Sequence, residues 1–420
     1  MACEPVSGVD GLECHFSRAG VGEYGEERAL RMLSSVLLFA CMAFAMAAGV
    51  RADEPQKAGG AEVNVRDIGG LLGPIIEKHK IPGMAAAIVR GWNVEAEGVA
   101  GVRKAASPEL VTVQDKFHLG SDTKAMTATV CAMLVEEGKL KWSTTIAEVF
   151  PAWAPKMDPG FRAVTLEQLL TNRGGAPNNL DRGGLWGRLW AFKGTPVGAR
   201  QALMEGVTAE PPEAPPGSKY IYSNAGFAIA GHMAEEVMGK SWEELMRERL
   251  FVPLGMTSAG FGAPGDKEAV NQPYGHTEKG KPVDPGPRGD NPVAIGPAGI
   301  VHCTIGDWAK FAALHLRGDE GDARLLKTET FKKLHTPAGG GAGGEPKYAC
   351  GWIVTSRPWA GSGERVLTHA GSNTMWYCVA WIAPEKDFAV LVACNEGGDE
   401  AAKACDEAAA ALIREAGKRK

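Results

Sequence analysis

The sequence predicts an α/β protein of the α+β kind. An antiparallel sheet is formed by its N- and C-terminal segments and flanked by helices, with a mainly helical region inserted between them. Three observations lead there. Strand-like runs lie near the start of the folded part, at 84–89 and 94–102. More lie near its end, at 349–355, 365–369, 375–382 and 388–394. All are short, β-branched or small, and bounded by turn residues. Between them, from about 140 to 344, helix-like segments alternate with long loops rich in Gly and Pro. A chain of 420 residues can bury one large core or two smaller ones. The net charge is −5 and no basic patch stands out, which argues against a nucleic-acid partner.

The elements follow in order. The apolar run 33–50 reads as the h-region of a secretory signal, and Val50-Arg51-Ala52 places small residues where a signal peptidase needs them. Residues 1–52 are therefore expected to be a leader and signal peptide, with Asp53 as the mature start. Residues 1–27 carry six acids and one Arg, a poor n-region, and Met32 would make a more ordinary start. The rival reading is an uncleaved membrane anchor. Cleavage predicts a secreted or periplasmic protein with no stable membrane partner. Residues 53–64 form a polar linker, and 65–420 form the folded domain, with the helical insertion at about 140–344. Residues 65–80 read as an amphipathic helix, followed by two strands turning at Gly91. A final helix covers about 400–416. Six Cys remain after residue 52 (131, 303, 350, 378, 394 and 405). Their scatter has no metal-like spacing, and they read as single buried thiols. The run 339–344 satisfies G-x-G-x-x-G, but follows no strand and opens no helix, so it reads as a loop.

The chemistry starts at Ser121 and Lys124, in the only S-x-x-K of the chain. They open a helix that is apolar almost all round (125–135), the pattern of a helix buried between layers. Residues three apart share a face, so the amine lies beside the hydroxyl. The first turn is an unfavourable place for a cation, and an amine with a depressed pKa beside a hydroxyl can make a serine nucleophilic. The bland alternative is an N-cap Ser with a solvated Lys.

Two later segments supply partners. Tyr222 and Asn224 stand where the loop 215–223 enters the apolar helix 227–237. A phenol beside an ammonium is expected to have a lowered pKa and to trade protons with a hydroxyl. An amide can hold both a Lys and a substrate carbonyl. Leu367-Thr368-His369-Ala370-Gly371-Ser372-Asn373 ends a strand, and its small residues allow a substrate backbone to lie on the strand edge. His118-Leu119-Gly120 also matches H-x-G, so that pattern is weak alone.

S-x-x-K, then Y-x-N, then H-x-G resembles the serine β-lactamase family of the class C type, which includes D-alanyl-D-alanine carboxypeptidases and related esterases. The likeness spans roughly 68–413. It extends to the stretches 117–124, 134–140, 169–175, 253–257 and 296–300, the last followed by Asp307-Trp308. The resemblance implies a β-lactamase/transpeptidase-like fold and a role for each residue. Ser121 would be acylated, with Lys124 sharing its proton and Tyr222 as general base. Asn224 would orient Lys124 and the substrate amide. The N–H groups of Ser121 and Ser372, beside Gly371, would form the oxyanion hole. His369 stands where true class C β-lactamases carry Lys, which weakens the case for β-lactam hydrolysis and leaves acyl transfer intact. Peptidases and esterases of the family often have His there.

The expected function is a serine hydrolase acting through an acyl-enzyme on an amide or ester. Its substrate would be a β-lactam, a D-Ala-D-Ala-type peptide or a small ester, possibly peptidoglycan-derived. No metal and no cofactor is implied. The alternative is a catalytically idle homologue that binds penicillin or peptidoglycan. An α/β-hydrolase is excluded because no G-x-S-x-G occurs.

Overall fold

The computed structural model describes residues 65–339 and 344–418. The expectations for the leader, the signal peptide and the linker, and for the centre of the 339–344 run, lie outside the described residues. The folded part begins with β1 (Arg66–Asp67), α1 (Gly69–His79), β2 (Gly83–Arg90), β3 (Asn93–Gly101), β4 (Lys116–His118) and α2 (Thr123–Glu136). Its middle contains α3 (Pro196–Thr208), α4 (Asn224–Met238), β5 (Gly260–Phe261), β6 (Gly275–Thr277), β7 (Lys281–Val283), β8 (Val301–Thr304) and α5 (Ile305–Gly318), among shorter helices. It ends with β9 (Ile353–Ser356), β10 (Arg365–Ser372), β11 (Tyr377–Ala383), β12 (Phe388–Cys394) and α6 (Asp399–Gly417).

Seven strands pair in the order β1-β3-β2-β12-β11-β10-β9, so one sheet is built from both ends of the chain. All these pairings are antiparallel except β1 with β3, which is parallel. The antiparallel expectation is thus corrected at one edge.

Side chains alternate across a strand, and here they serve two cores. Met84, Ala86 and Ile88 of β2 face one cluster with Leu72 of α1 and Ala404, Ala408 and Leu412 of α6. Ala85, Ala87 and Val89 face the other, with α2, α4 and α5. The small residues on α6 let the helix lie close to the sheet. In α2 every residue from Thr123 to Leu134 is buried, as its all-round apolar sequence requires.

A buried charge network fixes α4, whose first residue belongs to the site. Arg200 of α3 has no solvent exposure and bonds Glu235 of α4 and Glu243. Arg200→Met should therefore destabilise the protein by about 3–5 kcal/mol, because Glu235 and Glu243 lose the buried guanidinium that pairs both. Urea unfolding measures this; a midpoint equal to wild type would contradict it.

Several boundaries differ from the sequence reading. The first turn expected of the 65–80 helix is strand β1, which pairs with β3 through Arg66 and Asp67. The strand expected at 349–355 starts only at Ile353. The cause is Gly351, held at φ +82°, where an added Cβ would come within 2.6 Å of the Ala125 backbone N. That approach brings the chain against α2 just after Lys124. β11 begins at Tyr377 rather than 375, after the turn made by Asn373 and Thr374. The sheet β4-β8-β5 and the hairpin β6-β7 were not anticipated.

The cysteines at 131, 303, 350, 378, 394 and 405 are all buried and free. Among the described residues no helix is long and apolar enough to cross a membrane.

Candidate active site

Four elements converge on Ser121. Strand β4 delivers it, and a single 3-10 turn (Gly120–Asp122) leads into α2. The bond from Leu119 N–H to the Val301 carbonyl, 2.8 Å, fixes this entry against β8. Lys124 follows one turn later and is fully buried. The loop before α4 brings Tyr222, and Asn224 is the first residue of α4, capped by Ser223 Oγ on Gly226 N–H. Asn172 secures that loop by accepting Ser223 N–H at its side chain and Ile221 N–H at its carbonyl.

The hydrogen bonds are specific. Tyr222 Oη lies 2.7 Å from Ser121 Oγ. Lys124 Nζ lies 3.0 Å from Ser121 Oγ, 2.7 Å from Asn224 Oδ1 and 2.9 Å from the Ala298 carbonyl oxygen. Carbonyl oxygens only accept, so two N–H bonds of the amine go to Asn224 and Ala298. Towards Ser121 the amine then presents a third N–H when charged and its lone pair when neutral. Burial lowers the Lys124 pKa to about 7, against a smaller opposing effect of Asp122. The neutral, lone-pair form is therefore well populated at neutral pH. The depression foreseen from the helix terminus is present, but burial is its cause.

Tyr222 corrects an expectation. Burial pushes its phenol up, and the bond to Ser121 only partly offsets this. The lowered pKa expected from the neighbouring ammonium does not occur, although Nζ sits 4.7 Å from the ring centre. The resting phenol keeps its proton and donates it to Ser121 Oγ, so it is not the ready proton acceptor that the general-base expectation for Tyr222 requires.

His369 stands on β10 beside this cluster, its ring 6.3 Å from that of Tyr222. Its Nδ1 is 2.8 Å from the Ala370 carbonyl, so Nδ1 carries the proton and Nε2 accepts from Tyr348 Oη at 3.2 Å. Burial, then the Lys124 charge, lower its pKa to about 3. The imidazole is therefore neutral across the usual pH range and supplies no charge at the place where a Lys would.

Gly371 and Ser372 complete the site through their backbone. Pairing of β10 with β9 stops at Thr368, so from His369 to Ser372 the outer edge of β10 is free of β9. A Cβ on Gly371 would reach 2.9 Å from Ser121 N, and one on Gly120 would reach 2.4 Å from Ser372 N. Only glycine at both positions lets the two N–H groups approach each other. Ser121 N–H also belongs to the first turn of a helix, where N–H groups lack intrahelical partners.

All seven sequence-predicted residues thus meet in one place. Three contributors were missed. The Ala298 carbonyl has no side-chain signature, and only the stretch 296–300 pointed to it. Tyr348 is fully buried among Tyr220, Tyr222 and His369 and has no spacing signal. Asp122 is buried with Oδ2 3.1 Å from Cys378 Sγ and Oδ1 without a partner, and burial pushes its carboxyl well up. Among the described residues no cluster of His, Cys, Asp and Glu could hold a metal ion.

A seven-stranded sheet with helices on both faces, carrying a Ser–Lys–Tyr cluster at a strand edge, defines the class of protein. The sequence model of the beta-lactamase family matches residues 65–414, and the chain belongs to that family. One similar protein is "Penicillin-binding protein 4" of Amycolatopsis lactamdurans, 31% identical over 250 residues, covering 59% of this chain and 62% of that protein. Another is "Unguisins hydrolase ungD" of Aspergillus violaceofuscus, 30% identical over 247 residues, covering 55% of this chain and 41% of that protein. The chain spans roughly half the length of the curated relatives it matches. The octameric penicillin-binding protein homologue from Pyrococcus abyssi superposes with a TM-score of 0.66 at 24% identity, over 82% of this chain and 76% of that one. The D-alanine carboxypeptidase AmpC from Burkholderia cenocepacia gives 0.63 at 22%, over 81% and 96%. At these identities the likeness to solved structures shows the fold.

Proposed function

We propose that the protein is a serine hydrolase that cleaves an ester or amide through an acyl-enzyme on Ser121. One observation carries the reading: Ser121 Oγ lies within hydrogen-bond distance of both Lys124 Nζ and Tyr222 Oη, while the other bonds of Nζ go to obligate acceptors. Ser121 Oγ attacks the substrate carbonyl carbon and its proton passes to the Lys124 lone pair. The oxygen that becomes negative lies between the N–H groups of Ser121 and Ser372. As the tetrahedral species collapses, the bond to the leaving group breaks, and that group takes a proton from Tyr222, which Lys124 replenishes. Water then repeats the sequence on the acyl-enzyme and releases the acid product with Ser121 restored.

The substrate proposed is a small ester, or an amide that presents no carboxylate to His369. The neutral His369 offers no charge to such a group, where a Lys would. The names of the hydrolase and penicillin-binding relatives agree with acyl chemistry on peptides or lactams, and a β-lactam or D-Ala-D-Ala-type peptide is the second substrate class to test. The apolar run at 33–50 supports export to the periplasm or beyond. A screen with a p-nitrophenyl ester, nitrocefin and a D-Ala-D-Ala peptide tests the proposal; no turnover of any of them by folded protein would overturn it.

His369→Lys should raise kcat/KM for carboxylate-bearing substrates relative to neutral esters, by about tenfold, the value of one added charge contact at a partly desolvated site. Paired kinetics on the two substrate types measure the ratio. An unchanged or reversed ratio would remove this role from position 369.

A further inference from the structure

The second H-x-G of the chain, at His118-Leu119-Gly120, plays no part in the steps above, yet it lies beside the reacting groups. His118 has no solvent exposure. Its Nδ1 accepts the Gly120 N–H at 3.0 Å, and its Nε2 is 2.7 Å from Asp290 Oδ1. An N–H can only donate, so Nδ1 holds the lone pair and the ring proton sits on Nε2, directed at the carboxylate. Asp290 Oδ1 also accepts the N–H of Asn291 at 2.6 Å and faces Asn373 Nδ2 at 3.4 Å. Asn291 in turn bonds the Gly299 carbonyl, next to Ala298.

The two ends of this chain of bonds are significant. Gly120 immediately precedes Ser121, and Asn373 immediately follows Ser372. Gly120 is held at φ +46°, and its added Cβ would be 2.4 Å from Ser372 N. Three consecutive N–H groups are therefore sorted: Gly120 bonds His118, Asp122 bonds the Leu119 carbonyl, and that of Ser121 lies between them. We propose that His118 and Asp290 are positioning residues that set the separation and aim of the Ser121 and Ser372 N–H groups at the oxyanion. Asp290 polarises the imidazole, and Nδ1 fixes the Leu119–Gly120 peptide plane. The carboxylate also reaches the turn that carries Ser372. The pair touches no substrate atom. It acts on the tetrahedral oxygen through the backbone, so it bears on the transition state more than on substrate binding.

This inference rests on the acyl-transfer reading, and two isosteric variants separate it from that reading. His118→Gln places an amide N–H near the Nε2 position and loses the acceptor for Gly120. His118→Asn keeps an acceptor at the Nδ1 position and loses the reach to Asp290. On a p-nitrophenyl ester, His118→Gln should lose about 10²-fold in kcat, as for a misplaced oxyanion donor, with KM within about threefold. His118→Asn should recover part of that loss, and a boronic acid that mimics the tetrahedral adduct should bind His118→Gln weaker by a factor close to the loss in kcat/KM. Thermal unfolding of each variant checks the fold, and His118→Asn carries the test if His118→Gln does not fold. Folded His118→Gln with unchanged kcat would overturn the proposal. A loss confined to KM, or an Asn variant no better than Gln, would do the same. Fluorophosphonate labelling keeps the two readings apart. Wild type that takes no label on Ser121 defeats the acyl-transfer reading, whereas wild type that labels, with His118→Gln labelling at the same rate, defeats only this one.

Discussion

Ser121→Ala should abolish turnover, by about 10⁴-fold or more, while leaving the fold intact. Oγ is the atom on which Lys124 and Tyr222 converge, at 3.0 and 2.7 Å. Its removal takes away the nucleophile and the hydrogen bond of Tyr222 Oη, whose ring keeps its packing against Tyr348 and His369. Lys124 keeps Asn224 and the Ala298 carbonyl, so the buried amine is not orphaned. Stability should change little, and steady-state kinetics with a thermal melt show both. A residual rate above about 1% of wild type would mean that another group carries the acyl chain.

Lys124→Arg should cost about 10²–10⁴-fold in kcat/KM and remove the acid limb of its pH profile. The sign follows from the pKa of about 7 that burial imposes on Lys124. The base must be neutral to accept the Ser121 proton. Above pH 7 most of the free enzyme is in that form and the rate is level. Below pH 7 the neutral fraction falls about tenfold per unit, and kcat/KM falls with it. Arg stays charged throughout and offers no lone pair at any accessible pH. Tyr222→Phe gives the contrast. It should lower the rate by removing the proton donor to the leaving group, yet keep a limb near pH 7, because burial holds the phenol protonated well above that range. If Tyr222→Phe erased the limb and Lys124→Arg kept it, the roles of the two residues would be exchanged.

How much of this was legible depends on the kind of signal each residue carries. Ser121 and Lys124 were readable because helical spacing alone puts them side by side, and the apolar sequence of α2 shows that the amine is buried. Tyr222, Asn224 and His369 have no local signature of that strength, and their order along the chain was what joined them. The sheet was legible from β2, β3, β10, β11 and β12, whose lengths allow an alternating pattern. The strands β4, β5 and β8 have two to four residues each, too few for periodicity to show, although β4 delivers the nucleophile. Backbone contributors such as the Ala298 carbonyl leave no trace in residue identity. The direction of the Tyr222 shift is not legible because a sequence reveals a neighbouring charge but not the depth of burial, and desolvation is the larger effect here. His118 is a second match to a weak pattern in the sequence, and only the distant Asp290 gives it a purpose.

The most direct test of the account is mass spectrometry of the folded protein after incubation with a fluorophosphonate and, separately, with a penicillin. Peptide mapping should place a covalent adduct on Ser121 with the fluorophosphonate, absent in Ser121→Ala, and penicillin, if it reacts, should acylate the same residue. An adduct on a different residue, or no adduct from either reagent on folded protein, would contradict the account.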